Sequence, residues 1–172
     1  MLPAAHALLV ELDAEAAITR RVLDRVPADR YGWTPHPKSL TAGQLAQHIA
    51  TIPANVARIL ETDGMDVTQR GLHYASCDSQ ASLLAALDAS VAAAREALGK
   101  LEEDHARAPW RITAGDREIV AFPRLGAIRT VALNHWYHHR GELVVYLRLM
   151  DVPVPIVYGR SADESPLAQP GA

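Results

Sequence analysis

The segment NHWYHHRGELVVYLR, residues 134–148, sets three histidines, His135, His138 and His139, into an otherwise apolar helical stretch. Wound at about 100° per residue, the helix from 125 to 150 centres its apolar stripe on Ile128, Ala132, Leu143, Tyr146 and Met150. His139 falls near that centre, His135 about 60° from it and His138 about 120° away, at the flank. Spacings of three and four residues both bring side chains together, so His135/His138 and His135/His139 are both possible pairs. The stripe favours His135 and His139. On the opposite side Leu133, Trp136, Val144 and Leu147 are also apolar. A helix apolar nearly all round is expected to be buried nearly all round. Its cover would be the C-terminal tail and a hairpin, or a second subunit, and a homodimer is the preferred expectation.

The rest of the chain supports a helical setting for this segment. Its 172 residues, 49% hydrophobic and 22% charged, fit one soluble domain with a sizeable core. Alanine is abundant and there is a single phenylalanine, which favours helices over a β-sandwich. The net charge of −3 comes with no basic stripe, so no nucleic-acid partner is expected. The one cysteine, Cys77, excludes an intramolecular disulfide and a cysteine-built zinc site. The N-terminus meets Glu11 and Asp13 before any long apolar run, unlike a signal peptide, and no stretch approaches the roughly 20 apolar residues of a membrane span. A cytoplasmic location, away from membranes, is the expectation.

Four helices are predicted. The first covers 4–26, with Ala5, Leu8, Leu12, Thr19, Val22 and Val26 at helical spacing and Pro27 as its stop. After the turn-rich ADRYGWTPHPKSL (28–40), Thr41 and Gln44 form a capping box, and Leu40 and Leu45 a hydrophobic staple, for a second helix at 42–62 kinked by Pro53. DGMDVTQRGLHYASCD (63–78) reads as loop. A third helix runs from 79 to 103 on the stripe Leu84, Leu87, Val91, Ala94, Leu98 and Leu101. WRITAGDREIVAF (110–122) reads as a β-hairpin about Gly115-Asp116. Beyond the fourth helix, Pro153 and Pro155 enforce an extended tail across the bundle. The expected fold is an all-α four-helix bundle with long connections, a domain of residues 1–164, and a disordered end at 165–172.

His6, His73 and His105 read as solvated surface residues. Helix two carries His48 at the edge of the face marked by Leu45, Ile52, Val56 and Ile59. Alone, it would be a core histidine bonded to a carbonyl or water. Together with His135 and His139 it implies more. Three imidazoles in one small core each need a partner and repel when protonated, and a divalent metal solves both problems. Three protein ligands with open positions is the pattern of a catalytic site. Glu142, one turn from His138 and two from His135, either orients a ligand imidazole or pairs with a neighbouring cation. Tyr137 and Arg140 point away and are assigned structural roles. Trp33, His36 and Tyr158, in the loop and tail free to cover the site, are the candidates for a pocket rim.

Three stretches, WTPHPKSLTAGQLAQHIA (33–50), LNHWYHHRGELVVYLRLMDVPVP (133–155) and IVYGRSADE (156–164), resemble the DinB family of DinB/YfiT-like metalloenzymes. The most specific element is H-x-x-x-H-R-G-[QE]-L. The resemblance implies a four-helix bundle of unusual connectivity, often dimeric. It also implies a nickel or zinc site on His48, His135 and His139, and a thiol-dependent activity like that of bacillithiol S-transferases or mycothiol-dependent maleylpyruvate isomerase. A metal-dependent transferase or hydrolase using a low-molecular-weight thiol or water is thus the first expectation. A non-catalytic stress-related metal or small-molecule binder is the second.

Overall fold

The computed structural model describes residues 1–69 and 74–165. It is mostly helical, with a small three-stranded sheet. Helix α1 (Pro3–Leu23) starts with a proline in its first turn, where the missing donor costs nothing. It ends three residues before the predicted limit, because Pro27 disfavours helical backbone at Val26. Ala5, Leu8, Leu12, Thr19, Val22 and Leu23 form its buried face.

The second predicted helix is in three parts. Helix α2 (Ala42–Thr51) opens on the expected capping box: Thr41 Oγ1 accepts from the Gln44 amide at 3.2 Å, and Gln44 Oε1 from the Thr41 amide at 3.0 Å. A 3₁₀ turn, Ile52–Ala54, takes up the donor lost at Pro53, and α3 (Asn55–Glu61) continues beyond it. The next segment, read as loop, holds a strand, β1 (Gly64–Asp66). Three residues are too few for alternation to register in a sequence.

Helix α4 (Gln80–Gly99) is capped by Ser79, which forms a reciprocal box with Ser82. A short α5 (Glu103–Arg107) follows, so the predicted third helix stops four residues early. The hairpin is present as β2 (Pro109–Ala114) and β3 (Arg117–Pro123), antiparallel about Gly115, whose φ of 59° suits glycine. Strand β1 pairs with β2 in parallel, giving the order β1-β2-β3. The Asp66 carboxylate accepts from the Gly115 amide at 3.1 Å and ties the hairpin turn to β1.

Strand β3 runs into α6 (Arg124–Ala127), then a π-helical segment at Ile128–Asn134, then α7 (His135–Leu149). The predicted fourth helix is therefore continuous in path but changes winding just before its first histidine. Trp136, Leu143 and Leu147 are buried, whereas Val145 (56% exposed) and Leu149 (57%) are open. The side expected to be covered is so at Leu133, Trp136 and Leu147, while the face bearing His138, Glu142, Val145 and Leu149 is accessible in the single chain.

One hydrophobic core joins the helices, with Leu12, Leu23, Leu45, Ile49, Leu83, Leu87, Trp110, Trp136 and Leu143 at its centre. The extended tail lies along α1 and α7. Asp163 bonds Arg148 and the Val154 amide, and Glu164 bonds Arg21, Arg25 and the Ile156 amide. The predicted disorder of the last residues falls, from residue 166 on, outside the described residues. Among the described residues no helix is long and apolar enough to cross a membrane.

Candidate metal centre

His48 comes from the last turn of α2, and His135 and His139 from the first two turns of α7. The capping box fixes where α2 begins, and Leu45, Ile49 and Ile52 bury its inner face, turning His48 toward α7. The three imidazoles meet with ring centroids 5.1, 4.8 and 4.6 Å apart. His48 Nε2 lies 3.4 Å from His135 Nε2, and His139 Nε2 lies 2.8 Å from the same atom. The residues are half-buried.

The outer nitrogens of the α7 pair are oriented by different means. His139 Nδ1 lies 2.6 Å from Glu142 Oε2, a carboxylate–imidazole pair that places the proton on Nδ1 and leaves the Nε2 lone pair inward. His135 Nδ1 lies 3.3 Å from the Val131 carbonyl oxygen. A carbonyl only accepts, so this nitrogen also carries its proton and Nε2 is again the acceptor that faces inward. The π-segment matters here: the His135 amide bonds the Ala132 carbonyl, so Val131 keeps acceptor capacity for the ring. Such insertions in helices often accompany functional sites.

Two inward lone pairs 2.8 Å apart repel one another unless a cation separates them. A proton in that position would make His139 an imidazolium serving one neighbour, whereas a divalent metal serves all three rings. The spacing fits. With metal–nitrogen bonds of about 2.0–2.1 Å, two nitrogens stand about 3.3 Å apart at a tetrahedral angle and about 2.9 Å apart at a right angle. The observed 3.4 and 2.8 Å span these values. Three neutral imidazoles suit a divalent transition-metal ion.

The sequence-predicted residues fare differently. His48, His135 and His139 are brought together. Glu142 reaches a cluster imidazole, though His139 rather than His135, and its other oxygen lies 3.1 Å from His138 Nε2. Among the described residues no lysine or arginine pairs with it. His138, with a 63% exposed side chain, stays at the flank. With His139 and Glu142 it makes a second, more open group of ligand atoms that shares the same carboxylate.

Trp33 packs edge-on against Tyr146 at 5.5 Å, two turns along α7 from His139. His36 sits in an exposed turn where its Nδ1 accepts from the Lys38 amide at 3.1 Å. Tyr158 lies on the α1 side of α7, its hydroxyl donating to Glu15 at 2.9 Å. Of the histidines read as solvated, His6 is exposed on α1. His105 Nε2 lies 2.7 Å from the Leu60 carbonyl, so this ring ties α5 to α3. His73 lies outside the described residues.

Sequence reasoning missed Tyr74 beside the cluster, and it gave Arg140 a structural role without its partners. Tyr74 stands edge-to-face with His48, ring centroids 5.1 Å apart at 84°. Its segment has no periodicity to mark it. Arg140 is fully buried, its guanidinium bonded to the Glu15 carboxylate at 2.6 Å and to Thr19 Oγ1 at 3.1 Å, between the rings of Tyr137 and Tyr158. Beside it, Tyr137 donates to Glu11 at 2.8 Å, and burial together with that carboxylate pushes its phenol well above the usual range. Glu11 is itself held below the usual carboxylate range, first by its hydrogen bonds with Arg129. The structural assignment of Tyr137 and Arg140 thus acquires a physical content: they join α7 to α1.

The DinB family model matches residues 1–171. The chain belongs to the DinB family. Two solved structures are similar to it. One is a DinB-like protein, YjoA, from Bacillus subtilis, 19% identical with a TM-score of 0.66, covering 90% of this chain and 99% of that one. The other is a DinB-like protein from Bacillus cereus ATCC 10987, 22% identical with a TM-score of 0.66, covering 87% of this chain and 95% of that one. At such identities the likeness establishes the DinB-like fold alone. No curated protein matches the chain.

Proposed function

We propose that this DinB-family chain is a divalent-metal-dependent enzyme centred on His48, His135 and His139. The observation that carries the reading is the inward convergence of Nε2 atoms, two of them with their outer nitrogens committed to Glu142 and the Val131 carbonyl. When bound, nickel or zinc supplies a Lewis acid that lowers the pKa of water or of a thiol toward neutrality. The protein's own part is to hold three neutral imidazoles in one orientation. Glu142 retains the proton on His139 Nδ1 and so keeps its Nε2 lone pair directed inward. A low-molecular-weight thiol as co-substrate gives S-transfer to an electrophile, and water gives hydrolysis. The thiol reading rests on the family resemblance. In this reading the four helical runs are the family's bundle, the open α7 face with Val145 and Leu149 is where a homodimer forms, and the protein works in the cytoplasm.

Metal analysis of protein purified without an affinity tag tests the centre. Wild type is expected to hold close to one equivalent of nickel or zinc, and a His48→Ala/His139→Ala double variant almost none. Equal trace metal in both would end the proposal. Turnover is then sought with electrophiles and several biological thiols. The alternative reading is a non-catalytic metal or small-molecule binder that uses the same three imidazoles. Bound metal with no thiol-dependent or hydrolytic turnover would select that binder.

A further inference from the structure

Each α7 imidazole of the cluster has an identifiable group that fixes its rotation, Val131 for His135 and Glu142 for His139. On the α2 side an aromatic ring stands edge-to-face with His48. We propose that Tyr74 is a positioning residue of the histidine cluster: its ring, perpendicular to the His48 imidazole, sets the rotation that aims His48 Nε2 at His135 and His139.

Perpendicular aromatic pairs at this spacing are attractive through the opposed charge of ring edge and ring face, so the contact carries an orientation as well as bulk. The Tyr74 segment is anchored to the helix that bears His48. Gln44 uses its two amide atoms for different tasks: Oε1 completes the cap of α2, and Nε2 donates to the Tyr74 carbonyl at 3.1 Å. Gln44 lies one turn before His48, so a single helical face carries both the ligand and the tether of the group that orients it. A side chain at Gly43 would collide with Ser76 Oγ and Tyr31, so Ser76 lies close against the start of α2. Cys77, buried just beyond, closes the segment into the core. Tyr74 is therefore fixed relative to His48 by backbone and packing rather than by its own side chain alone.

The inference rests on the metal reading above, and its test separates the two. Wild type, Tyr74→Phe and Tyr74→Leu are titrated with cobalt(II), whose visible bands report the number and geometry of nitrogen ligands. Phenylalanine keeps the ring and is expected to match wild type in affinity within about twofold, with the same spectrum. Leucine keeps bulk without a ring edge and is expected to bind roughly tenfold or more weakly, as for other groups that orient a ligand, with altered bands. Helical circular dichroism and the thermal midpoint check that all three fold alike. In metal-free protein, nuclear magnetic resonance should show the His48 ring signals shifted and broadened in Tyr74→Leu but not in Tyr74→Phe. Equal cobalt affinity and spectra for all three would overturn the role of Tyr74 and leave the metal centre standing. Failure of wild type to bind cobalt would overturn the metal centre, and the metal-free spectra would still decide whether Tyr74 holds His48.

Discussion

His138 and His139 are adjacent in sequence, yet one is mostly exposed and the other converges with two further imidazoles, and Glu142 touches both. That difference makes their substitutions separable. His138→Ala should leave metal content within about twofold of wild type, because its partner oxygen is not the one on His139. Glu142→Gln should lower metal affinity by about 10- to 100-fold, the usual cost of removing a carboxylate behind a ligand imidazole. Equilibrium dialysis of both variants checks the pair of expectations, and a larger loss for His138→Ala would assign the ligand role to the wrong histidine. A second consequence at this scale concerns acid. Glu11 has a folded-state pKa below its free value, chiefly through hydrogen bonds with Arg129. A depressed carboxylate stabilises the fold above its unfolded pKa, and that stabilisation is lost as pH falls through the folded one. Wild type should thus lose thermal stability below about pH 4.5, and Arg129→Gln should show a smaller loss over the same range. Melting curves at pH 7 and pH 3 compare them.

Among the elements, α2 has the most closely specified start. Thr41 and Gln44 satisfy one another's backbone amides, and the same glutamine ties the Tyr74 segment. Thr41→Ala should cost about 1 kcal/mol in urea unfolding. The capping box was legible because all its atoms lie within four residues. The break at Pro53 was legible as a kink but not as a 3₁₀ turn between two helices, since the missing donor does not say how the chain absorbs it. Strand β1 and the π-segment were illegible for related reasons. One is stabilised only by pairing with β2, more than 40 residues away in sequence. The other changes the winding of a helix without changing the residue types that favour helix.

For the whole molecule, the two sides of α7 are tied to different helices. Its His135 and His139 face α2, and Arg140 reaches α1, where Glu15 is only 12% exposed in its side chain. Removing one partner of such a buried pair leaves an uncompensated charge, so Arg140→Met should destabilise the fold by roughly 3 kcal/mol or more. Adding Glu15→Gln should recover part of that loss. Chemical denaturation of the single and double variants measures both. Independent, additive losses would mean that the two groups do not interact across the interface.

The sequence by itself determined what depends on near neighbours: the helical character of most of the chain, the cap at Thr41, the hairpin turn at Gly115, and the inward pair His135 and His139. These follow from backbone propensity, hydrogen bonds within a turn, and side-chain periodicity, all of which act over a few residues. Only the tertiary structure decided which groups separated along the chain meet. It brought His48 to His135 across 87 positions, set Tyr74 against His48, and gave Arg140 its partners on α1. It also gave Glu142 to His139, because the choice between two imidazoles on one helix depends on which of them the packing turns inward.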